Sequence, residues 1–85
     1  MRKLEFVAKA FDKYKEWIKD DRKTAFKIGD LVKEIISNPF AGLGKPGPLK
    51  HQLKGYWSRR IDNEHRLIYS VTDISLIIFV CIFHY

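Results

Sequence analysis

Cysteine is almost missing from this chain. Cys81 is the only one, which excludes an internal disulfide and a cysteine-bound metal cluster, makes a reducing cytoplasm the expected location, and leaves Cys81 itself as buried apolar filler. Long apolar runs are missing too. The longest, Ile74 to Phe83, covers ten residues and is interrupted by Ser75; that is about half of what a membrane-spanning helix needs, so a buried strand is expected and no membrane. The opening residues return to charge at Lys9, Asp12 and Lys13, with no stretch apolar enough for an export signal. Acidic residues are scarce: ten Asp and Glu against sixteen Lys and Arg leave a net charge of +6, which favours a polyanionic or acidic partner. Histidines stand at 51, 65 and 84 without cysteine or carboxylate partners at ligand spacing, so no metal site is expected. Gly42-Leu43-Gly44 precedes predicted sheet, not a helix, and so is no nucleotide fingerprint. No cofactor is expected.

What is present suffices for one core. Apolar types make up 46% of the 85 residues, enough to fold a single domain over 1–85. Lys3 to Val7 alternates loosely and predicts a short first strand. From Ala8 to about Asp20, Phe11, Tyr14, Trp17 and Ile18 recur at helical steps and predict one apolar stripe. Asp20-Asp21 can cap a second helix from Arg22 to Ser37, with Ala25, Ile28, Leu31, Val32 and Ile35 inward and Lys27, Asp30, Lys33 and Glu34 largely outward; Asn38-Pro39 stops it. Three prolines and three glycines between Pro39 and Pro48 exclude regular structure there. Leu49 to Leu53, Tyr56 to Ile61, His65 to Val71 and Ile74 to Tyr85 read as strands with short connections, hence an antiparallel meander. The fold class is α+β: a short first strand, a helical hairpin, then an antiparallel sheet packed on the helices.

If Asp62-Asn63-Glu64 is a three-residue hairpin loop, Arg60 pairs with Arg66 across adjacent strands. Two like charges side by side are unfavourable unless an anion sits between them, and guanidinium forks suit phosphate. Lys45, Lys50, His51, Lys54, Arg59, Arg60, His65 and Arg66 fall within 22 residues that also hold Tyr56 and Trp57, a mixture suited to single-stranded RNA. Tyr56 and Trp57 point to opposite faces, and Trp57 can share the core face with Ile61. Pairing of the last two strands through Thr72-Asp73 returns His84 and Tyr85 toward the arginines, where acid–base work on phosphate becomes available; which of the two faces them depends on register.

Asn38-Pro39-Phe40, Gly42-Leu43-Gly44-Lys45-Pro46, Pro48-Leu49-Lys50-His51, Gly55-Tyr56-Trp57-Ser58-Arg59-Arg60-Ile61, Glu64-His65-Arg66-Leu67-Ile68-Tyr69 and the terminal His84-Tyr85 closely resemble the YoeB toxins of the RelE superfamily, nearly end to end. The resemblance implies a RelE-like microbial RNase fold and the toxin of a type II toxin–antitoxin pair: an endoribonuclease that cuts mRNA on the ribosome, in the A site of the 70S particle, without metal. It further implies an acidic, partly disordered YefM-type antitoxin, operator DNA bound only as the toxin–antitoxin complex, and leaves a homodimer open. On the matching positions His84 is the general acid, Arg66 stabilises the developing phosphorane charge, and Tyr85 helps place the acid or substrate. Lys50, Arg60 and Arg59 hold RNA phosphates, with Lys45 and His51 nearby. One position departs from the pattern. The family's Lys-Pro-Glu-Pro-Leu reads Lys45-Pro46-Gly47-Pro48-Leu49 here, so the general base is absent; an attenuated nuclease is expected, or alternatively a catalytically inactive form that still binds ribosome and antitoxin. Glu64 and His51 are the candidate replacements, neither at the matching position. Gyrase poisoning, known on the same general fold, is a third reading against which the Arg60, Arg66, His84 and Tyr85 set argues.

Overall fold

The computed structural model describes residues 2–84, the last three by backbone alone. Strand β1 (Lys3–Phe6) leads into helix α1 (Ala8–Asp20), and α2 (Arg22–Ser37) follows after one residue. That residue, Asp21, is the N-cap: its carboxylate accepts from the Thr24 backbone N–H at 3.2 Å and the Thr24 hydroxyl at 2.8 Å, satisfying a donor that the first turn leaves unpaired. Helix α2 ends at Ser37, with Asn38 as its C-cap before Pro39, as proline requires. All five apolar residues expected inward on α2, from Ala25 to Ile35, are buried.

After the helices come β2 (Gly47–Pro48), a 3₁₀ turn at His51–Leu53, then β3 (Trp57–Arg60), β4 (His65–Val71) and β5 (Ser75–His84). The sheet order is β1-β5-β4-β3-β2. Neighbours from β2 to β5 are antiparallel, and β1 joins the far edge parallel to β5. The helices cover one face, where Ala10, Ile28, Leu31, Val32 and Ile35 pack on Ile61, Leu67, Tyr69, Leu76, Ile78 and Cys81. Cys81 is fully buried, and burial pushes its thiol up to about 12, so it stays a neutral filler.

Three expectations are corrected. Leu49 to Leu53 is not a strand: His51 takes a left-handed backbone (φ 59), which a strand does not allow, and the chain curls into the 3₁₀ turn. The edge strand lies earlier, at Gly47–Pro48, inside the stretch expected to be irregular; proline is tolerated there because an edge strand leaves one side of its backbone unpaired. On α1, Phe11 and Ile18 are 47% and 44% exposed. Tyr14 and Trp17 pack against the core as expected, and Ala10 joins them in place of Phe11 and Ile18, a 4-then-3 step on a neighbouring stripe of the helix.

Candidate active site

The hairpin between β3 and β4 turns through Asp62-Asn63-Glu64, closed by the Ile61 N–H donating to His65 O at 2.9 Å. Asp62 holds the turn: its carboxylate accepts from the Glu64 and His65 N–H groups at 2.8 Å and lies 2.9 Å from the His65 ring. Partial desolvation, the largest influence on Asp62, pushes its carboxyl up, but those hydrogen bonds and the His65 charge together hold it below its usual value. His65 is therefore fixed, with its ring edge-on to Trp17 at 5.2 Å, and is not an open phosphate ligand.

This turn sets Arg60 opposite Arg66, the pairing expected from sequence. Both line one cleft of about 260 Å³ on the sheet face away from the helices, together with Lys45, Gly47, Pro48, Leu49 and Ser58. Gly47 arrives there because it pairs with Ser58. Lys45 arrives because Gly44 O accepts from the Arg60 N–H at 2.6 Å, a closeness only glycine allows: a Cβ on Gly44, at φ +80, would stand 2.9 Å from Arg60 O. Lys45 itself is left-handed at φ 50, the sort of backbone that functional loops retain. Lys50 and His51 are exposed beyond β2 and are not among the residues lining the cleft.

The backbone of His84 lies opposite His65, and that of Phe83 opposite Arg66, so the strand end does return to the arginine hairpin. The His84 side chain and all of Tyr85 lie outside the described residues. Two register shifts in β4·β5, between Arg66 and Tyr69, give β5 extra residues, so its buried apolar positions run Leu76, Ile78, Cys81. Bulges re-aim side chains in this way near sites.

Arg59 was expected to hold RNA and does not fit that role. It is fully buried and its donors are spent inward, on Glu34 and the carbonyls of Asn38, Ala41 (2.9 Å) and Leu43 (3.1 Å), and on the Tyr69 hydroxyl at 3.2 Å. Tyr69 in turn donates to Pro39 O at 2.8 Å. The unanticipated partner is Glu34, read as outward, whose carboxylate also accepts from the Leu43 N–H at 3.0 Å. Alternation held the signal: Arg59 stands between Trp57 and Ile61, so it must share their core face. The network fixes loop 38–43, and with it the approach to Lys45 and Gly47.

The Leu43 N–H and then Arg59 hold the Glu34 carboxyl below its usual range. A depressed carboxylate contributes stability above its unfolded value, about 4.3, and loses it as pH falls through that range toward the folded value. Glu34→Gln is therefore expected to lower stability at neutral pH and to flatten its decline below about pH 4.3; urea midpoints across that window test it, and an unchanged acid slope would refute it.

Among the described residues no group of three or more His, Cys, Asp or Glu side chains is placed to hold a metal ion, and no helix is long and apolar enough to cross a membrane. A family model described as the YoeB-like toxin of a bacterial type II toxin-antitoxin system matches residues 6–85. The chain belongs to the YoeB toxin family. It is 49% identical over 83 residues to Toxin YoeB of Escherichia coli K12, covering 98% of this chain and 99% of that one. The structure of a YoeB dimer from Staphylococcus aureus superposes with a TM-score of 0.93 at 44% identity, covering 99% of this chain and 98% of that one. The toxin in a heterotetrameric YoeB-YefM toxin-antitoxin complex from the same organism gives 0.90 at 43%, covering 100% and 99%. This YoeB-family chain thus has the RelE-like α+β fold and is the toxin of a type II toxin–antitoxin system.

Proposed function

We propose that this toxin is a ribosome-dependent endoribonuclease, slowed by the loss of its general base at Gly47. The observation that supports it most is that Arg60, Arg66 and Lys45 line one cleft, where guanidinium forks match the geometry of a phosphate. In the reaction the ribose 2′-oxygen bonds to the neighbouring phosphorus as the bond to the 5′-oxygen breaks, leaving a 2′,3′-cyclic phosphate and a 5′-hydroxyl. Arg66 stabilises the charge that develops on phosphorus oxygens, His84 protonates the departing 5′-oxygen, Tyr85 positions the acid or substrate, and Arg60, Lys45, Lys50 and His51 hold flanking phosphates. No side chain at Gly47 takes the 2′-hydroxyl proton, so that proton passes to solvent or to one of the replacement candidates, Glu64 and His51, without a positioned base at the family's site.

The cleft is also suited to an acidic antitoxin of the YefM kind, with operator DNA engaged by the complex; the Staphylococcus aureus relatives, named as a dimer and as a YoeB-YefM complex, make a homodimer part of the same reading. Its home is the cytoplasm, where translating ribosomes are. Cleavage of mRNA on programmed 70S ribosomes is the direct test. Arg66→Gln should lower the single-turnover rate by about 10²-fold with little loss of ribosome binding, and antitoxin association should slow as salt rises. A second reading, binding without catalysis, is favoured by the bare Gly47 position; a parent chain that binds ribosomes but leaves mRNA whole would establish it. Inhibition of DNA supercoiling would instead indicate a gyrase poison.

A further inference from the structure

Behind the catalytic cleft, on the other side of Lys45 and Arg60, lies a second groove of about 500 Å³ between α2 and the β3–β4 turn. The two hollows share those two cations as a common ridge. The far wall carries Lys27, exposed on α2, and the rim carries Leu43, 60% exposed. Asn63 offers an exposed amide from the turn.

We propose that this groove binds the mRNA strand flanking the scissile phosphate, with Lys27 holding a further phosphate. The inference rests on the RNA reading of the first cleft. A strand held by Lys45 and Arg60 must continue on one side of them, and the second groove supplies what a nucleotide needs: a cation at each end, an apolar surface for a base face, and an amide for a base edge. Its walls are already rigid. Leu43 is held at both its N–H and its carbonyl by Glu34 and Arg59, Gly44 is bonded to Arg60, and Asp62 is engaged by the turn amides and His65. Two carboxylates, Asp30 on α2 and Asp62 in the turn, also line the groove and disfavour phosphate beside them, against the three cations Lys27, Lys45 and Arg60.

The test measures anisotropy of labelled RNA, made uncleavable by a 2′-deoxy group at the scissile nucleotide, on the free protein at low salt. A short oligonucleotide confined to the first cleft is compared with ones extended on the 5′ or the 3′ side. The parent should bind one extended form more tightly, with a salt slope steeper by about 0.7 for the added phosphate contact. Lys27→Gln should erase that increment and leave the short oligonucleotide unaffected, and Leu43→Ser should reduce the affinity gained on extension while sparing the slope. If Lys27→Gln changes nothing, or weakens short and extended RNA equally, the groove is not a nucleotide subsite. If it spares every RNA and slows an acidic antitoxin instead, the groove belongs to the protein partner and the proposal is overturned. Failure of the parent to bind even the short RNA would defeat the reading of the first cleft and this one with it.

Discussion

Gly47→Glu is expected to raise single-turnover cleavage of mRNA on programmed ribosomes by about two to four powers of ten, the contribution of a positioned general base, while changing ribosome affinity little. The backbone is ready for it. Gly47 is not left-handed, and a Cβ built there meets nothing within 4 Å, unlike Gly42 and Gly44, where a side chain would collide with Glu34 or with Arg60. The new carboxylate would enter the cleft lined by Lys45, Arg60 and Arg66, cations that keep it ionised and able to take the 2′-hydroxyl proton at neutral pH. Expression of Gly47→Glu without antitoxin should arrest growth, and His84→Ala in that background should abolish the gain because acid and base act in one step. A parent chain that already cleaves as fast as Gly47→Glu would mean another residue is the base, and the idea of a disarmed site would fall.

The departure at Gly47 is legible only because the neighbouring positions, Lys45-Pro46 and Pro48-Leu49, follow the family's pattern; geometry alone would not mark it. Other parts of the site follow from local physics. A three-residue turn fixes Arg60 against Arg66, and Asp62 is the residue that can close such a turn by accepting its N–H groups. Helix α2 was readable from Asp21 to Asn38 because a cap and a proline bound a strongly one-sided stripe. What escaped depends on contacts distant in sequence. Nothing local says that His51 will turn left-handed, since Leu49 and Leu53 flank it with the spacing of a strand. Alternation fails along β5 because its bulges shift the inward positions, and the apolar run hides this: the open face also packs apolar groups together, with half-buried Phe79 4.7 Å from half-buried Tyr56. Glu34 looked solvated because its partner lies 25 residues away.

Arg59→Met is expected to destabilise the fold by about 3 kcal/mol, the lower end for breaking a buried ion pair, and to lower the melting temperature by roughly 12–24 °C for a domain of this size. Methionine keeps much of the stem's volume but none of the donors, so the carbonyls of Asn38, Ala41 and Leu43 and the Glu34 carboxylate lose their partner at once. The lower end applies because the Glu34 side chain is 25% exposed and water can reach it, whereas Arg59 is fully enclosed. Adding Glu34→Gln should cost less in the Arg59→Met background than in the parent, since the charge it removes is by then uncompensated; thermal melts of the two single variants and the double variant complete the cycle. An RNA-contacting arginine would behave in the opposite way. It would leave the melting temperature nearly unchanged and shed about 0.7 from the salt slope of RNA binding, and that pair of results would overturn the structural role assigned to Arg59.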